Sequence, residues 1–291
     1  MIRFVQRRSR QVAVAAPKNP TRRVDQQPAL PVEAKRVHVP VSGKIRTIGH
    51  PNEDPLYEEL ARAQASDLPS ASTLIAVLVP VLGRPHRVAP LLESFVNATS
   101  AYDATLYLIA QRSDTEELRA IEAQGLEPIL VDDEDRSWAK KINRGFAATK
   151  EPWILLAADD LAFHAGWVDK VRTLLHSHCG VIGTNDLGNA STIKGISSTH
   201  PLVRRTYAQI FGTADERGRV LHEGYDHNFP DSELVETAKA RGLYTHKRDC
   251  VIEPLHPLWG KGERDQIYQL GSANWNTDQA LFVARCKKFG I

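Results

Sequence analysis

Cysteine is scarce in this chain, and neither sign of charge dominates it. Three cysteines occur in 291 residues, Cys179, Cys250 and Cys286. Odd in number and far apart, they supply neither a zinc spacing nor a disulfide framework, and a reducing compartment fits them. No apolar run approaches the ~20 residues that a bilayer-spanning helix needs. Met1 to Ala16 scatters arginines and holds no continuous apolar core, which makes a poor signal peptide. A cytoplasmic protein without a membrane span is the expectation. The formal net charge of +2 argues against nucleic acid as a general partner. A phosphate-binding P-loop, a G-x-G-x-x-G fingerprint and a G-x-S-x-G elbow are all missing, which counts against dehydrogenase and hydrolase chemistry.

What is present is an ordinary globular composition, 42% hydrophobic and 25% charged. The length suits one large domain or two modest ones. Charge is unevenly spread: the first fifty residues hold eleven Lys or Arg against only Asp25 and Glu33. Prolines punctuate residues 1–70 and aromatics are few there. This segment reads as a basic arm, disordered at least over 1–36 or docked on a partner or neighbouring subunit. Val37, Val39 and Val41 alternate in a way that suits a short strand or hairpin over 36–48. Residues 54–64 suit one amphipathic helix.

From Thr73 the rhythm changes. Apolar, β-rich runs at 74–81, 104–110, 127–131, 153–158 and 179–183 read as strands. Helical spacing appears at 87–99, 114–124, 137–149 and 166–176. Strands alternating with helices indicate βαβ units and a mostly parallel sheet. Past Asn185 the regularity weakens. Residues 185–198 read as loop, 200–211 as helix, 231–241 as a helix stopped by Gly242, 251–255 as a short strand, and 279–288 as the last helix.

Four segments carry candidate chemistry. The run Trp153 to Ala158 ends in Asp159 and Asp160. Two acids at the carboxyl end of a core strand are costly unless they meet a cation, a substrate or the solvent of a cleft. Oxygen ligands suit Mg²⁺ or Mn²⁺ shared with substrate phosphates, although a turn cap satisfies the same spacing. Asp231, with Glu233 after it, sits where a helix should begin. Capping alone explains it, and so does a general base in a cleft. His256 follows an apolar strand and precedes a Pro/Gly loop; it reads as a metal-completing imidazole or as a hydrogen-bonded loop histidine. Trp259 and Lys261 follow on that loop, where they could cover a diphosphate. Finally, Pro80, Gly83 and Arg84 mark a strand-to-helix turn that can approach a nucleotide.

In this order, the segments from about Thr73 to His256 resemble the family 2 glycosyltransferases of the GT-A fold. The resemblance rests on Val77-Leu-Val-Pro-Val-Leu-Gly-Arg84, on Asn143-Arg-Gly145, on Leu155-Leu-Ala-Ala-Asp-Asp160, and on Asp231-Ser-Glu-Leu with its helix ending at Gly242. It departs from the family's pattern at Ile109-Ala-Gln-Arg-Ser-Asp114, in the Asp-Asp spacing, and at Pro230, where an acid is usual. The Asn185–Asn189 loop and His256-Pro-Leu-Trp-Gly-Lys261 look, more narrowly, like transferases of tailed bacteriophages of actinobacteria. The resemblance implies an α/β GT-A fold with a mostly parallel central sheet, a nucleotide-sugar-binding half at 71–183 and an acceptor half at 184–291. It implies an inverting sugar transfer from a nucleotide diphosphate donor to a hydroxyl of a glycan or protein, a virion protein or a host glycan in a phage setting. Asp231 would be the base. Asp160 and His256 would hold Mn²⁺ or Mg²⁺. Pro80, Arg84, Gln111, Lys141 and Asp159 would line the donor site. Residues 198–204 and 212–229 would meet the acceptor. A homo-oligomer is left open. The altered second-strand motif and Pro230 leave one rival standing, a non-catalytic interaction module on the same fold. A nucleotidyltransferase would need a Gly-rich basic loop that Gly83-Arg84 does not provide.

Overall fold

The computed structural model describes residues 55–66, 73–101 and 103–291. The arm expected at 1–36 and the strand or hairpin at 36–48 lie outside the described residues. The helix expected over 54–64 is present as α1, Pro55–Ser66. The next elements are β1 (Ile75–Pro80), α2 (Pro85–Ala98), β2 (Ala104–Gln111), α3 (Thr115–Glu122), β3 (Ile129–Val131), α4 (Trp138–Ala148) and β4 (Trp153–Leu156). Then come β5 (Leu161–Phe163), α5 (Trp167–Leu175), β6 (Val181–Asn185), α6 (Ala190–Ile193), β7 (Leu202–Arg204), α7 (Arg205–Ile210), α8 (Pro230–Ala240), β8 (Tyr244–Pro254), α9 (Gln266–Ala273) and α10 (Trp275–Phe289).

The strands form one sheet in the order β3-β2-β1-β4-β7-β6-β8-β5. Parallel pairs join β1 to β2 and β4, β2 to β3, and β6 to β8; β7 and β5 run antiparallel to their neighbours. Side chains alternate across a strand, so β1 feeds two cores at once. Ile75, Val77 and Val79 join Val88, Leu91, Ile121, Trp167 and Val171 on one face. Ala76 and Leu78 join Ile142, Phe146, Tyr207, Leu234 and Ala238 on the other. Helices therefore cover both faces, which is why the central strands read as unbroken apolar runs. Among the described residues no helix is long and apolar enough to cross a membrane.

Three expectations need correction. Residues 200–211 are not one helix: Leu202–Arg204 fill the gap between β4 and β6 as an antiparallel strand, and only then does α7 begin. Ladder pairing on both sides overrides the local helical spacing. The strand expected at 251–255 is the end of the eleven-residue β8, whose earlier part is polar and carries no alternation signal. Asp231 is not the N-cap of α8. Phe229 caps it with φ 71°, Pro230 takes the first helical position, and Asp231 falls in the first turn.

Candidate functional site

The chain turns after β1 and β4 and the loops after β6 and β8 converge where the parallel strands end, as ligand sites of open α/β sheets do. Two neighbouring cavities lie there. The larger, about 370 Å³, is lined by Asp160, Asp186, Asp231, His256, Trp259 and Trp275, among others. The smaller, about 190 Å³, lies under the β1–α2 turn and is lined by Pro80, Lys141, Asp159, Ser137 and Asn274, among others. Arg84, Trp138, Ala158, His227 and Ile267 line both. Gln111 and Lys261 line neither. The Gln111 amide points to Asp133 at 3.3 Å. The Lys261 ammonium donates to Glu253 at 2.6 Å. Trp259 does line the larger cavity, over Gly188, where an added Cβ would come 2.7 Å from the indole.

The β1–α2 turn is tied down by acids of the α3 start. Gly83 N–H donates to Asp114 (2.8 Å) and Arg84 N–H to Glu117 (2.7 Å). The Arg84 guanidinium then spans two carboxylates, Asp159 at 2.8 Å and Asp265 at 2.8 Å through two nitrogens. It also lies 4.2 Å over the Tyr268 ring. Burial works against its charge, but the bonds and charges of Asp265 and Asp159 outweigh burial and keep it protonated. Burial pushes the Asp159 carboxyl up to about 6 despite Arg84. Burial likewise lowers the Lys141 ammonium to about 8, although Asp114, Glu117 and Asp159 oppose it. Lys141 donates to the Val81 carbonyl at 2.5 Å, so it braces the same turn from below.

Asp160 takes a hydrogen bond from the Tyr268 hydroxyl at 2.7 Å on one oxygen. No described residue donates to its other oxygen. His256 Nδ1 accepts the Leu258 N–H at 3.1 Å, so in the neutral ring Nε2 carries the proton and offers no lone pair. Among the described residues no group of three or more His, Cys, Asp or Glu is placed to hold an ion by itself. The donor set thus fits a hard cation shared between Asp160 and substrate oxygens rather than an all-protein cage. His256 would join it only by releasing Leu258. His200 shows the opposite tautomer. Its Nδ1 lies 3.0 Å from the Leu156 carbonyl, to which it can only donate, so its Nε2 holds the lone pair.

Asp231 reaches the cavity from the first turn of α8. Burial raises its carboxyl to about 6, against the pull of the first-turn N–H groups of Ser232 and of Asp231 itself. Two buried acids fix this helix start. Asp278 on α10 accepts from the N–H groups of Asp226, His227 and Asn228 at 3.0, 3.0 and 2.7 Å. Glu233 on α8 accepts from Tyr225 (2.6 Å) and from Arg285 of α10 (2.7 Å). The Asn143-Arg-Gly145 signature is architectural. The Asn143 side-chain Oδ1 accepts from Val220 and Leu221 N–H at 3.0 and 3.1 Å. A Cβ at Gly145 would lie 2.6 Å from Ile109.

Asp186, Asp265, Tyr268, Trp138 and Trp275 escape the sequence reading. An N-cap Asp followed by Ile267, Tyr268 and Leu270 is a readable helix signal for α9. Its partners are not readable, because Arg84 and Asp160 lie 181 and 108 residues away along the chain. Of the segments expected to meet the acceptor, Thr199, His200, His227, Asn228 and Phe229 do line the larger cavity.

The fold is that of the GT-A glycosyltransferases. The chain is similar to residues 1–349 of Staphylococcus aureus TarS with a TM-score of 0.50 and 12% identity, over 61% of this chain and 59% of that one. It thus spans less than two thirds of that TarS fragment. It is also similar to glucosyl-3-phosphoglycerate synthase of Mycobacterium tuberculosis in complex with Mn²⁺, uridine-diphosphate and phosphoglyceric acid. There the TM-score is 0.51 and the identity 15%, over 79% of this chain and 82% of that one. The same synthase with Mn²⁺ and uridine-diphosphate-glucose gives 0.50 and 15%, over 79% and 83%. At these identities the likeness is one of fold. No protein-family model matches the chain, and no curated protein matches it in sequence.

Proposed function

We propose that the chain is a metal-dependent inverting glycosyltransferase that moves a sugar from a nucleotide diphosphate donor to an acceptor hydroxyl. One observation carries the reading: Asp160 and Asp231, far apart in sequence, line one cavity that adjoins a second under the β1–α2 turn. The smaller cavity would take the nucleotide, between Pro80, Lys141 and Asp159. The synthase similar in fold is complexed with Mn²⁺ and uridine-diphosphate, which supports a donor of this class.

In the reaction, an acceptor oxygen attacks the anomeric carbon and the bond from that carbon to the diphosphate oxygen breaks. The acceptor proton passes to an Asp231 oxygen, and the diphosphate leaves with its added negative charge. A carboxyl raised to about 6 is ionised at neutral pH yet basic enough to share a proton. Asp160, joined by His256 once its ring is released, would hold Mn²⁺ or Mg²⁺ shared with the diphosphate, and the cation would offset the leaving group's charge. Arg84 keeps Asp159 in place beside the donor.

The rival reading, a non-catalytic module on this fold, draws on Tyr268 and Asp265, which already engage Asp160 and Arg84. Calorimetry with UDP, GDP and CDP, with and without Mn²⁺, separates the two. Metal-dependent binding of one of them, with nucleotide-sugar turnover that Asp231→Asn abolishes, supports the transferase. Absence of binding to all three supports the module.

A further inference from the structure

We infer that the acceptor is a neutral glycan whose sugar ring stacks on an aromatic platform beside Asp231, formed by Phe229, Trp275 and Trp259. The inference deepens the transferase reading and rests on it for the word acceptor; the Phe229–Trp275 packing and the shared lining by Trp259 are geometric.

Aromatic residues make up 7% of the chain, yet three of its five tryptophans line this one cavity. The other two, Trp153 and Trp167, are buried core residues. Trp275 is 47% exposed and Trp259 36% exposed, unusual for rings with no role in packing the core. Phe229 is two residues from Asp231. Its ring packs 4.8 Å from Trp275 and stacks 5.3 Å from Phe282. Its φ of 71° is a rare conformation for a bulky side chain. Such backbone persists only where the surroundings over-determine it, and it gathers at ligand sites. Here the surroundings are the Asp278 clamp on the preceding three N–H groups. The fold therefore spends a buried carboxylate on holding one ring beside the base.

The charge in the cavity selects what can lie on that platform. Asp160, Asp186 and Asp231 face it, against one lysine or arginine, Arg84. Arg84 is already paired with two carboxylates, and Lys261 is paired with Glu253. The His256 Nδ1 accepts the Leu258 N–H and so carries no proton, which leaves that ring neutral as bonded. The cation proposed at Asp160 would be taken up by the donor's diphosphate, so a phosphorylated or acidic acceptor would find no free lysine or arginine here. A purely apolar one would bring the Asp160 and Asp231 carboxylates that face the cavity no donor. A pyranose satisfies both walls: its C–H face covers a ring, and its hydroxyls donate to carboxylates.

The test uses the full chain. Calorimetry and saturation-transfer NMR are run with neutral oligosaccharides (maltotriose, cellotriose, chitotriose and mannotriose). Sugar phosphates, phosphoglycerate and a Ser/Thr-rich peptide are run beside them. The expected result is binding of at least one neutral oligosaccharide, with the strongest transfer to its ring C–H protons. Trp275→Ala should weaken it about tenfold, as loss of an aromatic anchor does, and Trp275→Phe should restore most of it. Nucleoside diphosphate binding should stay unchanged in both variants. Where Trp275→Ala fails to fold, Trp259→Ala carries the glycan-binding part of the test, without the nucleoside diphosphate control. Binding only of the phosphorylated ligands, only of the peptide, or of nothing overturns the inference. So does glycan binding indifferent to these tryptophans. Glycan binding without any nucleoside diphosphate binding would overturn the transferase reading and leave the platform standing.

Discussion

The Tyr268 hydroxyl donates to Asp160 at 2.7 Å, linking the helix after the β8 loop to the acid beyond β4. The same ring lies under Arg84, whose guanidinium is held by Asp265 at the start of that helix. α9 thereby supplies the partner of Asp160 directly and, through Asp265, holds the Arg84 that pairs with Asp159.

Tyr268→Phe keeps the ring and removes the donor. A hydrogen bond to a buried carboxylate contributes about 2 kcal/mol, and the variant should lose about that much in urea denaturation. It should retain Mn²⁺-dependent nucleoside diphosphate binding, because Asp160 gains a free oxygen. Unchanged stability would show that the bond is not made in solution.

Asp231→Asn should abolish transfer and yet raise Tm at neutral pH. Burial lifts the folded carboxyl to about 6 from 3.8. Between those values the folded state binds more protons than the unfolded one, so this group's contribution to stability falls as pH rises through that window. Asparagine cannot ionise, so the variant's advantage should be present above about pH 6 and vanish below about pH 4. In the parent protein, kcat/KM should fall as pH drops through about 6. A variant less stable than the parent at pH 8 would remove the basis for this assignment.

Asp278→Ala leaves three N–H groups of residues 226–228 without their acceptor. Unsatisfied buried donors cost about 1–3 kcal/mol each, relieved in part by water, so a loss of about 3 kcal/mol is expected in denaturant titration. Hydrogen exchange at 226–229 should accelerate more than at β1. Equal protection at both places would argue against the clamp.

Arg84→Lys replaces a fork by a single ammonium that cannot bridge Asp159 and Asp265 together. Leaving a buried charge short of its partner costs about 3 kcal/mol. Adding Asp159→Asn to Arg84→Lys should recover part of that loss, measured by guanidinium unfolding. Full additivity of the two changes would show that the pair is not coupled.

The first half of the fold was legible because its signals are local. Unbroken apolar runs mark strands covered on both faces, and Ser137 and Asp114 cap helices where such residues should, accepting from Lys140 and Glu117 N–H. Asp160, Asp231, His256, Trp259, Pro80, Arg84, Lys141 and Asp159 all reach the two cavities. Gln111 and Lys261 do not, because a carboxylate or carbonyl closer at hand claims each of them. β7 was hidden because three residues pair on both sides only in the assembled sheet.

By itself, then, the sequence determined the alternating strands and helices, the acids at a strand end and at a helix start, and the lack of a zinc-finger spacing or a P-loop motif. These depend on periodicity and on residue types at short range. Only the tertiary structure decided which groups face each other: Tyr268 on Asp160, Asp265 on Arg84, Asp278 under the Phe229 turn, and three tryptophans around one cavity. Such contacts join residues many tens of positions apart. Packing of the whole sheet against its helices brings them together, and no local pattern records it.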